Sequence, residues 1–125
     1  GQIDGYMLDL TPETYWKFIT SNADMLLLLD FWSDHCPACG LMKYTLQRTK
    51  PFWETHIMLA GINTRFYPQL AEINVVTALP TLLIFYNHRC IHRIVGAVKP
   101  DAFMNAIRNI LNDIREDKNE AFSQY

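Results

Sequence analysis

Residues 25–32 read Met-Leu-Leu-Leu-Leu-Asp-Phe-Trp, and after three more residues the chain enters Cys36-Pro37-Ala38-Cys39. An apolar run without polar alternation fits a central strand covered on both faces, because a half-exposed strand would alternate. The segment from Pro37 to about Lys50 reads as a helix. Pro37 suits a first helical position, no strong turn signal comes after Gly40, and Leu41, Met42, Thr45 and Leu46 can form one face until Pro51 stops or kinks it. A doubly covered strand feeding a helix confines the fold to layered α/β arrangements. It also sets two thiols at a helix start, the first exposed at the helix end and the second one turn in, so that both can serve one sulfur chemistry.

Residues 6–10 make a short first strand with one solvated side. Thr11, Pro12 and Glu13 supply an N-cap, a proline and an acid for the first turn, and Tyr15, Trp16, Phe18 and Ile19 keep helical spacing up to a stop near Asn22. Residues 56–62 form a third strand and residues 69–73 a short helix or turn after Pro68. Residues 80–86 form a fourth strand, which turns at Asn87, His88 and Arg89 into a fifth over residues 90–95. Pro100 opens the last helix, with Phe103, Ile107, Ile110, Leu111 and Ile114 on one face. Past Arg115 the pattern is lost, and the charged tail over residues 116–125 is expected to fray. The order β, α, β, α, β, α, β, β, α predicts a single domain over residues 1–125: a mixed five-stranded sheet with helices on both faces and a core over about residues 6–115.

Composition limits function more than fold. With 125 residues, half of them hydrophobic, the chain can bury a core without disulfide staples. A formal net charge of -2, with basic residues scattered singly, gives no electrostatic footprint for nucleic acid or an anionic membrane. No apolar run nears the roughly 20 residues that span a bilayer. Three cysteines leave one thiol over, which favours a reducing compartment. The cytoplasm is therefore expected, with the periplasm or secretion after removal of a signal peptide as the alternative.

With Cys36 as N-cap, Pro37, Ala38 and Cys39 take the first three helical positions. A side-chain acceptor at the cap meets the amides of the second and third positions. A Cys36 thiolate is thus expected to be held by the Ala38 and Cys39 N–H groups and by the helix dipole. Cys36 attacks a substrate disulfide, and Cys39 then attacks the mixed disulfide, leaving Cys36 and Cys39 joined.

At these residues the chain resembles the thioredoxin family, and over more than the two cysteines. Asp30-Phe31-Trp32 before the motif, Ala78-Leu79-Pro80-Thr81-Leu82 at the fourth strand and Val95-Gly96-Ala97 after the fifth look like that family's hallmarks in its order. The resemblance implies the thioredoxin fold and a thiol-disulfide oxidoreductase, a protein-disulfide reductase, acting on protein disulfides or dithiols. It implies a monomer with no cofactor or metal, served by a recycling reductase or oxidase. It further implies that Pro80 is a cis-proline facing the dithiol, that Leu79 offers its backbone to an extended substrate, and that Trp32, His35, Pro37, Thr77, Gly96 and Ala97 line the groove. Asp30 would be the buried acid that takes the proton of Cys39, since burial raises a carboxylate toward a range useful near neutral pH. Two alternatives stand beside this reading: a redox-inactive binding module, and an oxidase or isomerase in an oxidising compartment.

Three departures from the family's pattern bear on the chemistry. His35 precedes the nucleophile where Gly is usual, and Pro37-Ala38 replaces Gly-Pro. An imidazolium beside Cys36 and an open Ala38 amide both favour thiolate, which makes the disulfide a stronger oxidant. The third strand carries no lysine near the buried acid, with Gly61 in its place, so desolvation of Asp30 is less compensated. Cys90 falls on the order of 20 Å from Cys36, at about 3.3 Å per strand residue. That distance removes it from a zinc site with His92 and from a resolving role, leaving a buried small hydrophobe or a peripheral thiol.

Overall fold

A computed structural model describes residues 2–3 and 7–123. The elements in chain order are β1 (Gln2–Ile3), β2 (Met7–Asp9), α1 (Pro12–Ser21), β3 (Leu26–Trp32), α2 (Pro37–Trp53), β4 (Ile57–Asn63), α3 (Pro68–Ile73), β5 (Thr81–Tyr86), β6 (Arg89–Val95) and α4 (Pro100–Ser123). Each of these four helices opens on a proline, whose preset φ and missing N–H are harmless in a first turn. Thr11 adds a reciprocal cap to α1: its Oγ1 accepts from Thr14 N–H at 3.3 Å, while Thr14 Oγ1 accepts from Thr11 N–H at 2.8 Å. Asn87 and His88 both sit at positive φ (52° and 69°), as a two-residue hairpin between β5 and β6 requires.

The sheet runs β1-β2-β4-β3-β5-β6. β3 is parallel to β4 and antiparallel to β5, and β6 closes the far edge antiparallel to β5. Alternate residues of β3 supply two cores. Leu27, Leu29 and Phe31 pack with Phe18, Ile19 and Leu70 from α1 and α3, while Leu26 and Leu28 pack with Met42, Leu46, Phe103 and Ile107 from α2 and α4. This two-sided burial is why the strand shows no polar alternation. The five expected strands are present, and the two-residue β1 adds a sixth at the edge. Tyr6, placed at the start of the first expected strand, lies outside the described residues.

Other boundaries differ from the sequence reading for identifiable reasons. α2 continues past Pro51 to Trp53 because Trp53 is buried and its indole N–H donates to Thr49 Oγ1 at 2.8 Å, tying the last turn to the core. α4 does not fray at Arg115 but runs to Ser123, with the Lys118 ammonium 5.6 Å from the centre of the Tyr86 ring. Leu111 is exposed at the margin of the face built by Phe103, Ile107 and Ile110. No helix among the described residues is long and apolar enough to cross a membrane.

The end of α3 positions the segment that leads to Pro80. Val75 N–H donates to Glu72 O at 3.1 Å and Val76 N–H to Ala71 O at 2.8 Å. This is a Schellman closure, in which the residue after the cap takes the left-handed conformation and is usually glycine. Here it is Val75, at φ 54°, where a β-branched side chain is strained. Val75→Gly should therefore raise the free energy of unfolding by about 1 kcal/mol, the strain relief outweighing glycine's extra unfolded-state freedom. Urea midpoints of the two proteins measure this, and an unchanged or lower midpoint would show the turn to be unstrained.

Candidate active site

β3 delivers its end to the site. Trp32 O accepts from Thr64 N–H at 2.8 Å and Thr64 Oγ1 at 3.1 Å, which pins the strand end to the loop after β4. The chain then turns at His35, whose φ of 59° redirects it into Cys36, the N-cap of α2. Cys36 and Cys39 form a disulfide with Cα atoms 5.2 Å apart. Cys36 is partly exposed, whereas Cys39 is buried one turn in. Cys39 N–H donates to Cys36 Sγ at 3.2 Å. In this disulfide form the Cys39 amide bonds the Cys36 sulfur, whereas the cradle expected of Ala38 and Cys39 concerns the reduced thiolate.

A cavity of about 210 Å³ opens beside the disulfide, bordered by Cys36, Cys39, Asp30, Trp32 and His35, with Met7, Ser33, Asp34, Gly40 and Lys43 completing its wall. Asp30 is 1% exposed, and its Oδ1 has no hydrogen-bond partner. Gly61 of β4 and Leu82 of β5 stand opposite it, so neither neighbouring strand offers a charge there. Desolvation accordingly raises the Asp30 pKa from 3.8 to about 7.

The remaining sequence candidates do not border this cavity. Pro37 is exposed at the head of α2. The Leu79–Pro80 bond is cis, and Pro80 O accepts from Gly96 N–H at 2.8 Å. The pairing of Phe31 with Thr81 sets Pro80 beside the end of β3. Leu79 and Ala97 are half-buried against opposite cores. Thr77 is exposed and lines a second cleft with Val75, Arg93 and Val95.

Sequence reading missed Lys43, a cation that reaches the wall of the Asp30 cavity from α2. Its position four residues after Cys39 puts it on the same helix face, a spacing that would have revealed it. Cys90 is a free and exposed thiol, not a buried one; its Sγ lies 3.4 Å from His92 O, because β6 is an edge strand open to solvent. No group of three or more His, Cys, Asp or Glu side chains suited to a metal occurs among the described residues.

The family model described as thioredoxin matches residues 6–109. Thioredoxin Y2, chloroplastic, of Arabidopsis thaliana is 30% identical over 93 residues, which cover 74% of this chain and 56% of that protein. The thioredoxin of Buchnera aphidicola subsp. Acyrthosiphon pisum is 25% identical over 92 residues, covering 74% of this chain and 84% of that one. Among solved structures, chloroplastic thioredoxin z superposes with a TM-score of 0.75 at 20% identity, covering 85% of this chain and 95% of its own, a likeness of fold.

Asp30 makes stability depend on pH with a definite sign. Its folded pKa lies above its unfolded value, so folding takes up a proton between about pH 4 and 7, and stability is lost as pH rises through that window. At about 1.36 kcal/mol per unit, the loss by pH 8 is about 4 kcal/mol. Asp30→Asn should match wild type near pH 4, exceed it above pH 7 and lack this slope. Urea unfolding at both pH values checks it; parallel profiles would mean that Asp30 is charged when buried.

Proposed function

This chain belongs to the thioredoxin family of thiol-disulfide oxidoreductases, and we propose that it reduces disulfides in protein substrates through Cys36 and Cys39. The observation that carries the proposal is the partly exposed Cys36 at the N-cap of α2, its sulfur capped by the Cys39 amide and joined to a buried partner. In the reduced protein, a Cys36 thiolate is favoured by that amide and by the helix dipole. It attacks one sulfur of the substrate disulfide, that S–S bond breaks, and one substrate thiolate leaves. Cys39 then gives its proton to Asp30 and attacks Cys36 Sγ, releasing the second substrate thiolate. Two electrons pass to the substrate, and the Cys36–Cys39 disulfide remains.

Asp30 suits this step because a pKa of about 7 lets it take and return a proton near neutrality. An extended substrate segment lies against the Leu79 backbone beside Pro80, with Trp32, Thr77, Gly96 and Ala97 flanking it, in the manner of strand addition. The cycle runs in a monomer in the cytoplasm, where a dithiol reductase restores Cys36 and Cys39.

Reduction of insulin with dithiothreitol as electron donor tests the reading. Wild type should accelerate insulin precipitation, Cys36→Ser should be silent, and pre-reduced Cys39→Ser mixed with insulin after removal of dithiothreitol should stall as a covalent adduct visible by mass spectrometry. A wild-type protein with free thiols and no rate above the dithiothreitol background defeats the proposal. His35 beside the nucleophile points to a reduction potential above the known thioredoxin value of about -270 mV. Equilibration with glutathione measures it, and His35→Gly should lower it; a wild-type potential at or below that reference excludes the effect.

A further inference from the structure

The segment 77–79 lies outside the strand ladder just before β5, at the sheet end where Thr81 pairs with Phe31 of β3, and its position is set at its ends. On the C-terminal side, Thr81 Oγ1 donates to Ala78 O at 2.6 Å and Gly96 N–H holds Pro80 O. On the N-terminal side stands the strained closure of α3 at Val75. There a side chain from β6 reaches across: Arg93 donates from Nη2 to Asn74 O at 2.6 Å and from Nη1 to Val75 O at 3.1 Å. Two donors of one planar guanidinium thus bridge consecutive carbonyls on either side of the left-handed residue. A rigid fork suits that task, and a single ammonium does not. Arg93 also lines a cleft of about 300 Å³ with Val75, Thr77, Ala78, Thr81 and Val95, which places it beside that segment.

We infer that Arg93 is a positioning residue for protein substrates: by clamping the Asn74–Val75 turn it fixes the segment 77–79 as one wall of the groove beside Cys36. The inference rests on the proposed reduction of protein disulfides. It assigns Arg93 no contact with the reacting sulfurs. An extended protein segment needs the wall, whereas a small disulfide needs only the exposed Cys36.

The test compares wild type, Arg93→Met and Arg93→Lys in steady-state insulin reduction and in reaction with Ellman's reagent as the small disulfide. Arg93→Met should raise the insulin KM about fivefold, with kcat and the Ellman rate within about twofold of wild type. Amide exchange at Val75 and Val76 should quicken about tenfold while β3 amides stay unchanged. Arg93→Lys keeps the charge but loses the fork, and should behave like Arg93→Met. An unchanged insulin KM, an equal loss with both disulfides, or a Lys variant indistinguishable from wild type overturns the clamp. A wild-type protein inactive on insulin overturns this inference together with the reading beneath it, whereas active wild type with unaffected variants overturns the clamp alone.

Discussion

Burial of β3 on both faces is the constraint on which the rest of the structure depends. Its alternate residues feed two cores, one under α1 and α3 and the other under α2 and α4. Such a strand has no solvated side for a polar group. Asp30 nevertheless sits within it, in line with Gly61 and Leu82. The same packing that stabilises the sheet therefore holds the carboxyl in its neutral form up to about pH 7. Stability and proton chemistry are two readings of one desolvation.

The dithiol depends on that strand as well. β3 ends where α2 begins, and the short link through His35 leaves Cys36 facing solvent while Cys39 turns inward. A partly exposed sulfur and a buried one, three residues apart, follow from the first turn of a helix that starts at the rim of a sheet and packs over it. The cis bond at Pro80 and the Gly96 amide complete the rim from β5 and β6.

Much of this was legible in the sequence because the signals were local. The proline at each helix start, the Thr11 cap, the unalternating run and the thiol spacing each state their own structure. What escaped depends on contacts between distant residues. Pro51 reads as a stop, and only the Trp53 indole on Thr49 shows why the helix outlasts it. Lys43 looks like a surface cation until α2 is docked over Asp30. Val75 is the sharpest case, since a β-branched residue argues against the left-handed turn it adopts. The Arg93 guanidinium that bonds the carbonyls of this turn comes from a strand on the far side of a hairpin.

The position of β3 in the sheet also bears on how the chain folds. β3 meets β4 across a single helix, and β5 meets β6 through two residues, so each pair can assemble from neighbouring sequence. The register of Leu29 with Leu83 joins these two units across a long intervening segment, a pairing with a larger loop-closure entropy than either unit alone. Without it, Asp30 has an open flank on the side that β5 covers. The acid owes its chemical character to the long-range pairing that closes the two halves of the sheet over it.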